Sequence, residues 1–551
     1  MYSTIKEEIT SLLHEALLKA EEKGMLPPIG KSINIPLETP RYPSHGDLSS
    51  SIAFLLTQGS SARPIEVAHS LVGLIQIDKE LVGHLEVAGR GFINFFIAPS
   101  RLHRFLREFD EMPLPDIGKG RRVLIEFVSS NPTGPLHVGH GRGAVLGDVL
   151  ANLLEATGFK AEREYYINDV GNQIQALGRS LKARYLELLG VEHEWPEDGY
   201  QGEYLIEIAR ALLEERKDGC QDFPVDFFAE YALGHITEEM KTTLLNFGVR
   251  FDHWISEKGL YKMGTLNKTI QDLKERGYIY EQEGAFWFRA SLFGDEKDRV
   301  LIRETGEPTY FAGDLAYHLN KYKRGYDRLI NIWGQDHHGY APRIKAAISA
   351  FGYSKDTLDI LLYQMVSLLR DGKPVAMSTR RGEFVTLSEI LEEVGRDAAR
   401  FYYLMQSSRA HLDFDLELAK QKSTDNPVYY VQYAHARISS IFAQASKRGI
   451  RLPPAKEVNL SLLNLKEELE IITKLETLRE EITNCVINYE IHRLTTYLIE
   501  LVSKFHSYYK HHRIISQDLA KTAARLILVR TVQMTIKKVL GLLGISAPER
   551  M

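Results

Sequence analysis

Cysteine is scarce in this chain: Cys220 and Cys485 are the only two among 551 residues, and they lie far apart. So few thiols exclude a disulfide framework and a zinc site built on cysteine. No uninterrupted apolar stretch approaches about 18 residues, so no membrane-spanning helix is predicted. The N-terminal segment lacks the basic and apolar regions of a signal peptide and the arginines of a transit peptide. We therefore expect a cytoplasmic protein that binds no zinc.

Excess charge of either sign is also small, with a formal net charge of −5, which argues against a polyanionic partner. The charge is unevenly distributed, however. Residues 426–551 contain 18 Lys and Arg against 11 Asp and Glu, whereas the preceding part contains 50 against 62. A basic end of this kind indicates either nucleic-acid contact or a solvated helical surface, and composition does not separate the two.

The chain length and the changes of pattern along it predict several domains. Residues 1–110 read as an α+β unit that is followed by a linker with proline and glycine. Residues 111–388 contain a strand at "VLIEFV", a loop, a helix from about His137 to Thr157 and a strand at "AEREYYIND", which is a βαβ unit of a parallel sheet. Further strands are expected at 327–334 and 358–366, and a helical insertion at about 190–260. A connecting helical segment, 389–425, and an all-α helix bundle, 426–551, follow.

The stretch "LHVGHGRG" (136–143) carries the chemistry of the predicted parallel-sheet domain. His137 and His140 stand where a buried strand gives way to a helix, and a helix N-terminus offers N–H groups and a positive dipole to an anion. The spacing places both imidazoles on one helix face, and Gly139 leaves room for a flat ligand. Phosphate binding, two structural histidines and a metal site all remain open at this point, although a zinc helix favours an i, i+4 pair.

Family resemblance favours phosphate binding. "PLHVGHGRG" looks like the HIGH signature of class I aminoacyl-tRNA synthetases, and "MSTRRG" (377–382) occupies the place of their KMSKR loop. The ordered set "EFVSSNPTGPLHVGH", "YYINDVGNQ", "TYFAGD", "WGQDHHGY", "DNPVYYVQYAHAR" and "LLGISAPERM" resembles the arginyl-tRNA synthetases over nearly the whole chain. The resemblance implies a multidomain α/β protein with a Rossmann-like catalytic domain, an N-terminal domain that meets the tRNA elbow and a C-terminal anticodon-binding bundle.

The same resemblance implies the reaction and its ligands. Arginine is activated by ATP as arginyl-adenylate, with Mg²⁺ on the phosphates, and is then transferred to tRNA(Arg), whose binding generally precedes activation in this family. The protein is expected to be a monomer. Residues expected at the ATP site are His137, Gly139, His140, Gly334, Asp336, His337, Met377 and Ser378.

A guanidinium is a planar cation that asks for carboxylates and acceptors in its own plane. Matching the family motifs position by position implies an arginine pocket of Glu126, Ser129, Asn131, Tyr310, Asp314 and Gln335. Asp314 and Glu126 would supply negative charge, and Asn131 and Gln335 would orient the α-amino and carboxylate end. Tyr310 is also compatible with ordinary packing. Because charge recognition rejects neutral analogues strongly, no editing site is expected.

The loop at 376–382 departs from the family pattern, because Ala376 and Thr379 stand where its two lysines are usual. Our candidates for the missing positive charge, and for catalysis beside His137 and His140, are Arg380 and Arg381. Lys373 is a weaker candidate, since it also fits a solvated turn.

Both ends of the chain are expected to contact tRNA. By resemblance, Tyr430, Tyr433, Tyr509 and Met551 surround anticodon bases, where aromatic faces stack on unpaired bases. Arg513, together with His511 and His512, could contact phosphates. Core packing is the alternative for Tyr430. Phe92 and Asn94 are the candidates in the N-terminal unit.

Three other functions compete with this prediction. A different nucleotidyltransferase could use the same histidine pair, and a non-catalytic RNA-binding relative would explain the altered loop. A metal hydrolase would use His137, His140, His337 and His338.

Overall fold

The computed structural model describes residues 3–26, 33–59, 61–217, 219–375 and 384–551. No helix within these ranges is both long and apolar enough to cross a membrane. Four of the predicted site residues lie outside them: Met377, Ser378, Arg380 and Arg381.

The N-terminal unit is an antiparallel four-stranded sheet, in the order β1-β2-β4-β3, packed with helices. Its first helix begins at Ile5, because Thr4 and Glu7 form a capping box, and its apolar face, which includes Ile9, Leu13 and Leu17, is buried. The elements are α1 (Ile5–Glu22), β1 (Leu37–Glu38), β2 (Leu48–Ser50), α2 (Ile52–Leu56), α3 (Pro64–Leu74), β3 (Val82–Ala88), β4 (Phe92–Ile97) and α4 (Pro99–Glu108).

The N-terminal unit packs against the C-terminal bundle and is therefore not separate from the rest of the chain. The imidazole Nε2 of buried His103 on α4 lies 2.8 Å from the carbonyl oxygen of Leu463. The backbone N–H of Ile5 donates to the carboxylate of Glu476 at 2.7 Å. The two ends of the chain therefore share one packed interface.

The central domain is built on a sheet of five parallel strands in the order β12-β11-β5-β6-β7. The predicted strand–helix–strand unit is present as β5 (Arg122–Phe127), α5 (Val138–Ala156) and β6 (Lys160–Ile167). The strand order reverses between β5 and β11, and ligands of such sheets bind at the carboxyl ends beside that point. The remaining elements of this sheet and its crossovers are α6 (Asn172–Leu189), α7 (Tyr204–Arg216), α8 (Val225–Asn246), β7 (His253–Ser256), α9 (Glu257–Lys262), α11 (Tyr310–Lys323), β11 (Arg328–Gly334), α12 (Ala341–Ala350) and β12 (Leu358–Tyr363).

Three features of this domain differ from the prediction. The helical insertion ends at β7, which is an edge strand of the central sheet and too short to show a period in the sequence. The apolar run 358–366 is two strands, because the chain leaves the sheet where Gln364 N donates to Ser408 O. The second piece, β13 (Val366–Arg370), pairs instead with β14 (Lys373–Pro374) and β15 (Leu412–Asp415).

A small antiparallel sheet between β7 and α11 was not anticipated. It consists of β8 (Ile279–Gln282), β9 (Ala285–Phe288) and β10 (Arg299–Ile302), and α10 (Thr265–Glu275) packs beside it. Its strands have four residues each, so alternation over so short a length is not distinguishable from a loop.

The bundle from residue 426 onward is helical as predicted, whereas the connecting segment 389–425, which was predicted to be helical, also contains the strand β15. Two helical stretches of the C-terminal part are interrupted: Gly395 with φ +78° separates α13 from α14, and Thr477 separates α17 from α18. The elements are α13 (Leu387–Val394), α14 (Arg396–Leu404), α15 (Leu416–Lys420), α16 (Pro427–Lys447), α17 (Lys466–Glu476), α18 (Leu478–Asn488), α19 (His492–His511) and α20 (Leu519–Leu542).

Arg400 on α14 joins these layers from a fully buried position. Its guanidinium donates to the carbonyl oxygens of Leu543 and Phe247, at 2.9 and 3.0 Å, and to the carboxylate of Asp148 on α5. A Cβ atom on Gly544 would lie 2.3 Å from the same guanidinium, so only glycine fits there. The contact ties the central domain to the end of the bundle.

Replacing Arg400 by methionine is expected to lower the free energy of unfolding by about 3–5 kcal/mol, because Asp148 is left as a buried carboxylate without its closest cation. Urea denaturation followed by tryptophan fluorescence measures the change. The matched control is Arg370→Met, since Arg370 pairs with Glu393 near the surface, and a much smaller loss is expected there. Equal losses in the two variants would contradict the assigned role.

Candidate active site

A cavity of about 690 Å³ opens at the carboxyl edge of the central sheet. Among the described residues it brings together ten that were predicted at the two substrate sites: Glu126, Ser129, Asn131, His137, Gly139, His140, Asp314, Gly334, Asp336 and His337. Two predicted residues, Tyr310 and Gln335, lie outside its lining. The sequence-based grouping of one histidine pair with one acidic cluster therefore corresponds to a single cavity.

The two histidines stack on each other at the start of α5. Their ring centroids are 3.7 Å apart, and the rings are inclined by 23°. His137 is the N-cap residue: its Nδ1 accepts from Gly139 N at 3.1 Å, while its own N–H donates to Nδ1 of His140 at 3.2 Å. Because both Nδ1 atoms accept, each Nε2 carries the ring proton and is available as a donor.

This arrangement corrects one expectation about the helix start. The first N–H groups of α5 are not free for an anion, since Val138 N donates to Val385 O and Gly139 N to the His137 ring. Burial lowers the pKa of His137, and burial together with the neighbouring ring lowers the pKa of His140 well below its ordinary value. Two neutral imidazoles thus present N–H donors in place of the backbone.

The chain after β5 takes an uncommon backbone conformation at the cavity wall. Val128 and Ser129 both have positive φ, +66° and +41°, which is rare for a β-branched residue. The Ser129 hydroxyl accepts from Tyr166 N at 3.1 Å, and the Asn131 amide donates to Gln173 at 2.8 Å. The loop therefore places both predicted polar residues at the cavity.

Asp314 provides the acidic side of the cavity. Burial raises its pKa to about 7, against a hydrogen bond from the Tyr340 hydroxyl (2.5 Å to Oδ2) that lowers it, and the charges of Glu126 and Glu257 raise it further. Glu257 is a buried carboxyl outside the cavity lining, and it was not predicted from the sequence. Burial raises the pKa of Glu257 too, opposed by hydrogen bonds from Tyr261 and Tyr166.

Glu126 is paired, which corrects its expected role as a free acidic group. The ammonium of Lys321 lies 2.5 Å from its carboxylate and also donates to Asn331 Oδ1 at 3.0 Å. All three side chains are buried. Glu126 still lines the cavity, but the ammonium of Lys321 balances its charge.

The other predicted residues of the substrate sites lie further out. Tyr310 is the first residue of α11 and is 56% exposed. Gln335 opens the 3₁₀ turn Gln335–Tyr340, and its carbonyl faces His338 Nδ1 at 3.1 Å. Lys373 is exposed on β14. Among the residues with described positions, no three His, Cys, Asp or Glu side chains cluster as ligands of a metal.

Several cavity residues come from segments to which the sequence analysis gave no role. The insertion contributes Tyr200, Gln201 and Gly202, and Tyr204, whose hydroxyl donates to Thr133 O at 2.5 Å. Asn168 stands in the quoted motif "YYINDVGNQ", which was the available signal for it. The insertion residues carry no local pattern that points to the site.

The three predicted anticodon tyrosines gather on one face of the bundle. Tyr430 and Tyr433 pack against His506, with ring centroids 4.7 and 6.0 Å apart. The Arg437 guanidinium lies over the rings of Tyr433 and Tyr509 at 4.5 and 5.1 Å. The three tyrosines are half-buried, and Arg513 and Met551 are exposed nearer the chain end. The face combines aromatic rings with a cation.

The two N-terminal candidates lie in different surroundings. Phe92 is 44% exposed and packs on Phe54. Asn94 is buried, accepts from Ser49 Oγ at 2.8 Å and donates to Glu86, so its amide is committed inside the sheet and is a poorer candidate for RNA contact.

Comparison with known proteins adds to this geometry. Family models match residues 3–97 (arginyl tRNA synthetase N terminal domain), 110–411 (tRNA synthetases class I (R), catalytic domain) and 431–551 (DALR anticodon binding domain). The chain is 46% identical to the arginine–tRNA ligase of Desulfosudis oleivorans, over 99% of this chain and 100% of that protein. It is 43% identical to that of Desulforamulus reducens over the full length of both.

Solved structures show the same fold. The arginyl-tRNA synthetase of Thermus thermophilus matches with a TM-score of 0.76 and 22% identity, over 98% of this chain and 99% of that one. That of Plasmodium falciparum matches with 0.78 and 15%, over the whole of both chains.

Stability is expected to depend on pH through Asp314. A carboxyl whose pKa is raised to about 7 in the folded state favours folding while protonated, and this contribution is lost as pH rises from about 4 to 7. Asp314→Asn should therefore gain a few kcal/mol over the unmodified protein at pH 8 and much less at pH 5. Urea denaturation at both pH values measures the difference, and a difference that does not change with pH would contradict the assignment.

Proposed function

Because this chain belongs to the arginyl-tRNA synthetase family and joins arginine to tRNA with ATP as a substrate, we propose that the cavity at the sheet edge performs both chemical steps. The observation that supports this is the meeting of neutral imidazole donors and a desolvated carboxyl in one cavity.

In the first step a carboxylate oxygen of arginine attacks the α-phosphorus of ATP. An O–P bond forms, the bond from that phosphorus to the β-bridging oxygen breaks, and pyrophosphate leaves with the electron pair. The Nε2–H groups of His137 and His140 donate to the phosphate oxygens as charge develops on them. No general base is needed because the nucleophile is already ionised, so positioning and charge stabilisation carry the step.

In the second step a hydroxyl of the terminal ribose of tRNA attacks the arginyl carbonyl carbon. The ester forms, AMP leaves with the bonding electrons, and the hydroxyl proton passes to the departing AMP. The same fixed donors serve both steps, because AMP keeps the position of the α-phosphate.

The guanidinium of arginine is held by Asp314, which lines the cavity and has no ion pair among the described contacts. Glu126 also lines the cavity and adds negative charge, which Lys321 balances. Ser129 and Asn131 orient the α-amino and carboxylate end, and Gln335 assists from the end of β11. Tyr310 covers the slot from its rim. Gly139, Gly334, Asp336 and His337 hold the nucleoside of ATP, which arrives with Mg²⁺ on its phosphates.

Positive charge for the leaving pyrophosphate comes from Arg380 or Arg381, and Met377 and Ser378 of the same loop contact ATP. The bundle from about residue 426 binds the anticodon of tRNA(Arg) through Tyr430, Tyr433, Tyr509, Arg513 and Met551. Residues 1–110 contact the tRNA elbow, with Phe92 the better of the two candidates there. The protein acts as a monomer in the cytoplasm.

Replacing His137 or His140 by asparagine is expected to lower arginine-dependent ATP–pyrophosphate exchange by about 10²–10³-fold, because a preorganised donor to the α-phosphate is lost. The exchange is measured with tRNA(Arg) present. His338→Asn is the control, since His338 is exposed and, among the described residues, its ring has a hydrogen-bond contact only with Gln335 O of its own turn. Rates within a few-fold of the unmodified protein in both variants would remove the histidines from the mechanism.

Replacing Arg380 or Arg381 by alanine should lower the same exchange rate by at least tenfold, because one fixed charge opposite the pyrophosphate disappears. Lys373→Ala serves as the comparison and is expected to change little. If both arginine variants exchange at the normal rate, the loop does not supply the missing charge.

A further inference from the structure

Tyr340 makes a contact that the proposed mechanism does not use. Its hydroxyl donates to Oδ2 of Asp314 at 2.5 Å, and both side chains line the cavity. Asp314 stands in the second turn of α11, whereas Tyr340 ends the 3₁₀ turn that follows β11. The contact therefore connects the two segments that flank the acidic slot.

Packing fixes the direction of the Tyr340 ring. Phe311 meets it edge to face with centroids 6.1 Å apart, and Trp333 lies at the same distance. The Arg343 guanidinium covers it at 5.6 Å. Burial holds the phenol pKa well above its ordinary value, with Asp314 adding to the shift, so the hydroxyl stays a donor at physiological pH.

The hydrogen bond selects which carboxylate oxygen is left for a ligand. Among the described contacts, Tyr340 is the one hydrogen-bond donor to the carboxylate of Asp314, at Oδ2, so Oδ1 remains for a guanidinium N–H. Because this hydrogen bond already restricts the rotation of the Asp314 carboxylate, arginine binding costs less side-chain entropy.

We propose that Tyr340 is a positioning residue for arginine recognition: its hydroxyl holds the Asp314 carboxylate in the orientation that receives the guanidinium. The inference rests on the proposed function, because it assumes that Asp314 binds arginine.

Other charged groups face Asp314 and set the background of any pH effect. They are Glu126 on β5, Glu257 on α9, Lys321 and His318 on its own helix, and Arg343 beyond the Tyr340 ring. The hydrogen bond from Tyr340 is the largest effect that lowers the pKa of Asp314. Without the hydroxyl, burial and the two glutamates raise this pKa further. Arginine binding then requires a higher pH.

The test is Tyr340→Phe in the full-length protein, which keeps the ring and removes only the hydroxyl. In aminoacylation of tRNA(Arg), the KM for arginine is expected to rise about tenfold to hundredfold at pH 7, the range of a hydrogen bond to a charged group. At pH 9 the part of this rise that comes from protonation of Asp314 should disappear, and the part that comes from the lost orientation of its carboxylate should remain. The kcat at saturating arginine and the KM for ATP should stay within about twofold of the unmodified protein, since the catalytic donors lie elsewhere.

Tyr322→Phe is the matched control, because the Tyr322 hydroxyl bonds Thr357 in the same domain and lies outside the cavity. In an Asp314→Asn background, Tyr340→Phe should change the KM for arginine no more than about twofold. An equal rise in the KM for arginine and for ATP, or an arginine KM that is unchanged at every pH, would overturn the positioning role. If the unmodified protein forms no arginyl-tRNA, it is the proposed function that fails.

Discussion

The cost of removing carboxylates from water at one edge of the central sheet is the constraint on which this active site depends. Asp314, Glu126 and Glu257 come from three different elements, and the charges of both glutamates raise the pKa of Asp314. Lys321 balances one of them, and the others remain in surroundings that oppose ionisation. In the proposed binding mode a planar cation supplies the charge that Asp314 lacks, so arginine completes the electrostatics of the cavity. A neutral analogue of the same shape would leave this carboxyl unpaired, so such a site would select arginine by its charge.

The side of the cavity that we propose for the phosphates of ATP has neutral donors in place of charged groups. Its donors are uncharged imidazoles, and the stacked pair is fixed by backbone groups on the Nδ1 side. Tyr403 donates to Val138 O, and Leu387 N donates to Leu136 O, so helices α13 and α14 secure the start of α5. Residues 376–383, which include Arg380 and Arg381, precede this region in the chain. Because Val138 N donates to Val385 O and Leu387 N to Leu136 O, the start of the helix that carries the histidines and residues 385–387 form one packed unit.

The parallel-sheet unit and the bundle were predictable because their periods extend over many residues. The histidine pair and Asp314 were recognisable because local motifs carry them. Tyr340 ends the motif "WGQDHHGY", so the sequence pointed to its segment but not to its contact with Asp314. Glu257 was not predicted, since it comes from a segment distant in sequence and no local pattern marks it. The partner of Glu126 did leave a signal: Asp314, His318 and Lys321 recur at i, i+4 and i+7, so they lie on one face of α11. The strands β7 to β10 are too short to show a regular alternation of apolar and polar residues. The burial of Asn94 was not predictable, because it depends on the neighbours of Asn94 in a small sheet.

Ser546 and Pro548 contact α16, the helix that carries two of the predicted anticodon tyrosines, Tyr430 and Tyr433. On α16, Gln432 donates to Ser546 O at 3.0 Å, and the His435 ring faces Pro548 O at 2.9 Å. Loss of Ser546 and the residues after it would leave both buried side chains without these acceptors, within two residues of Tyr433. Such a truncation would therefore disturb the surface that carries the predicted anticodon tyrosines.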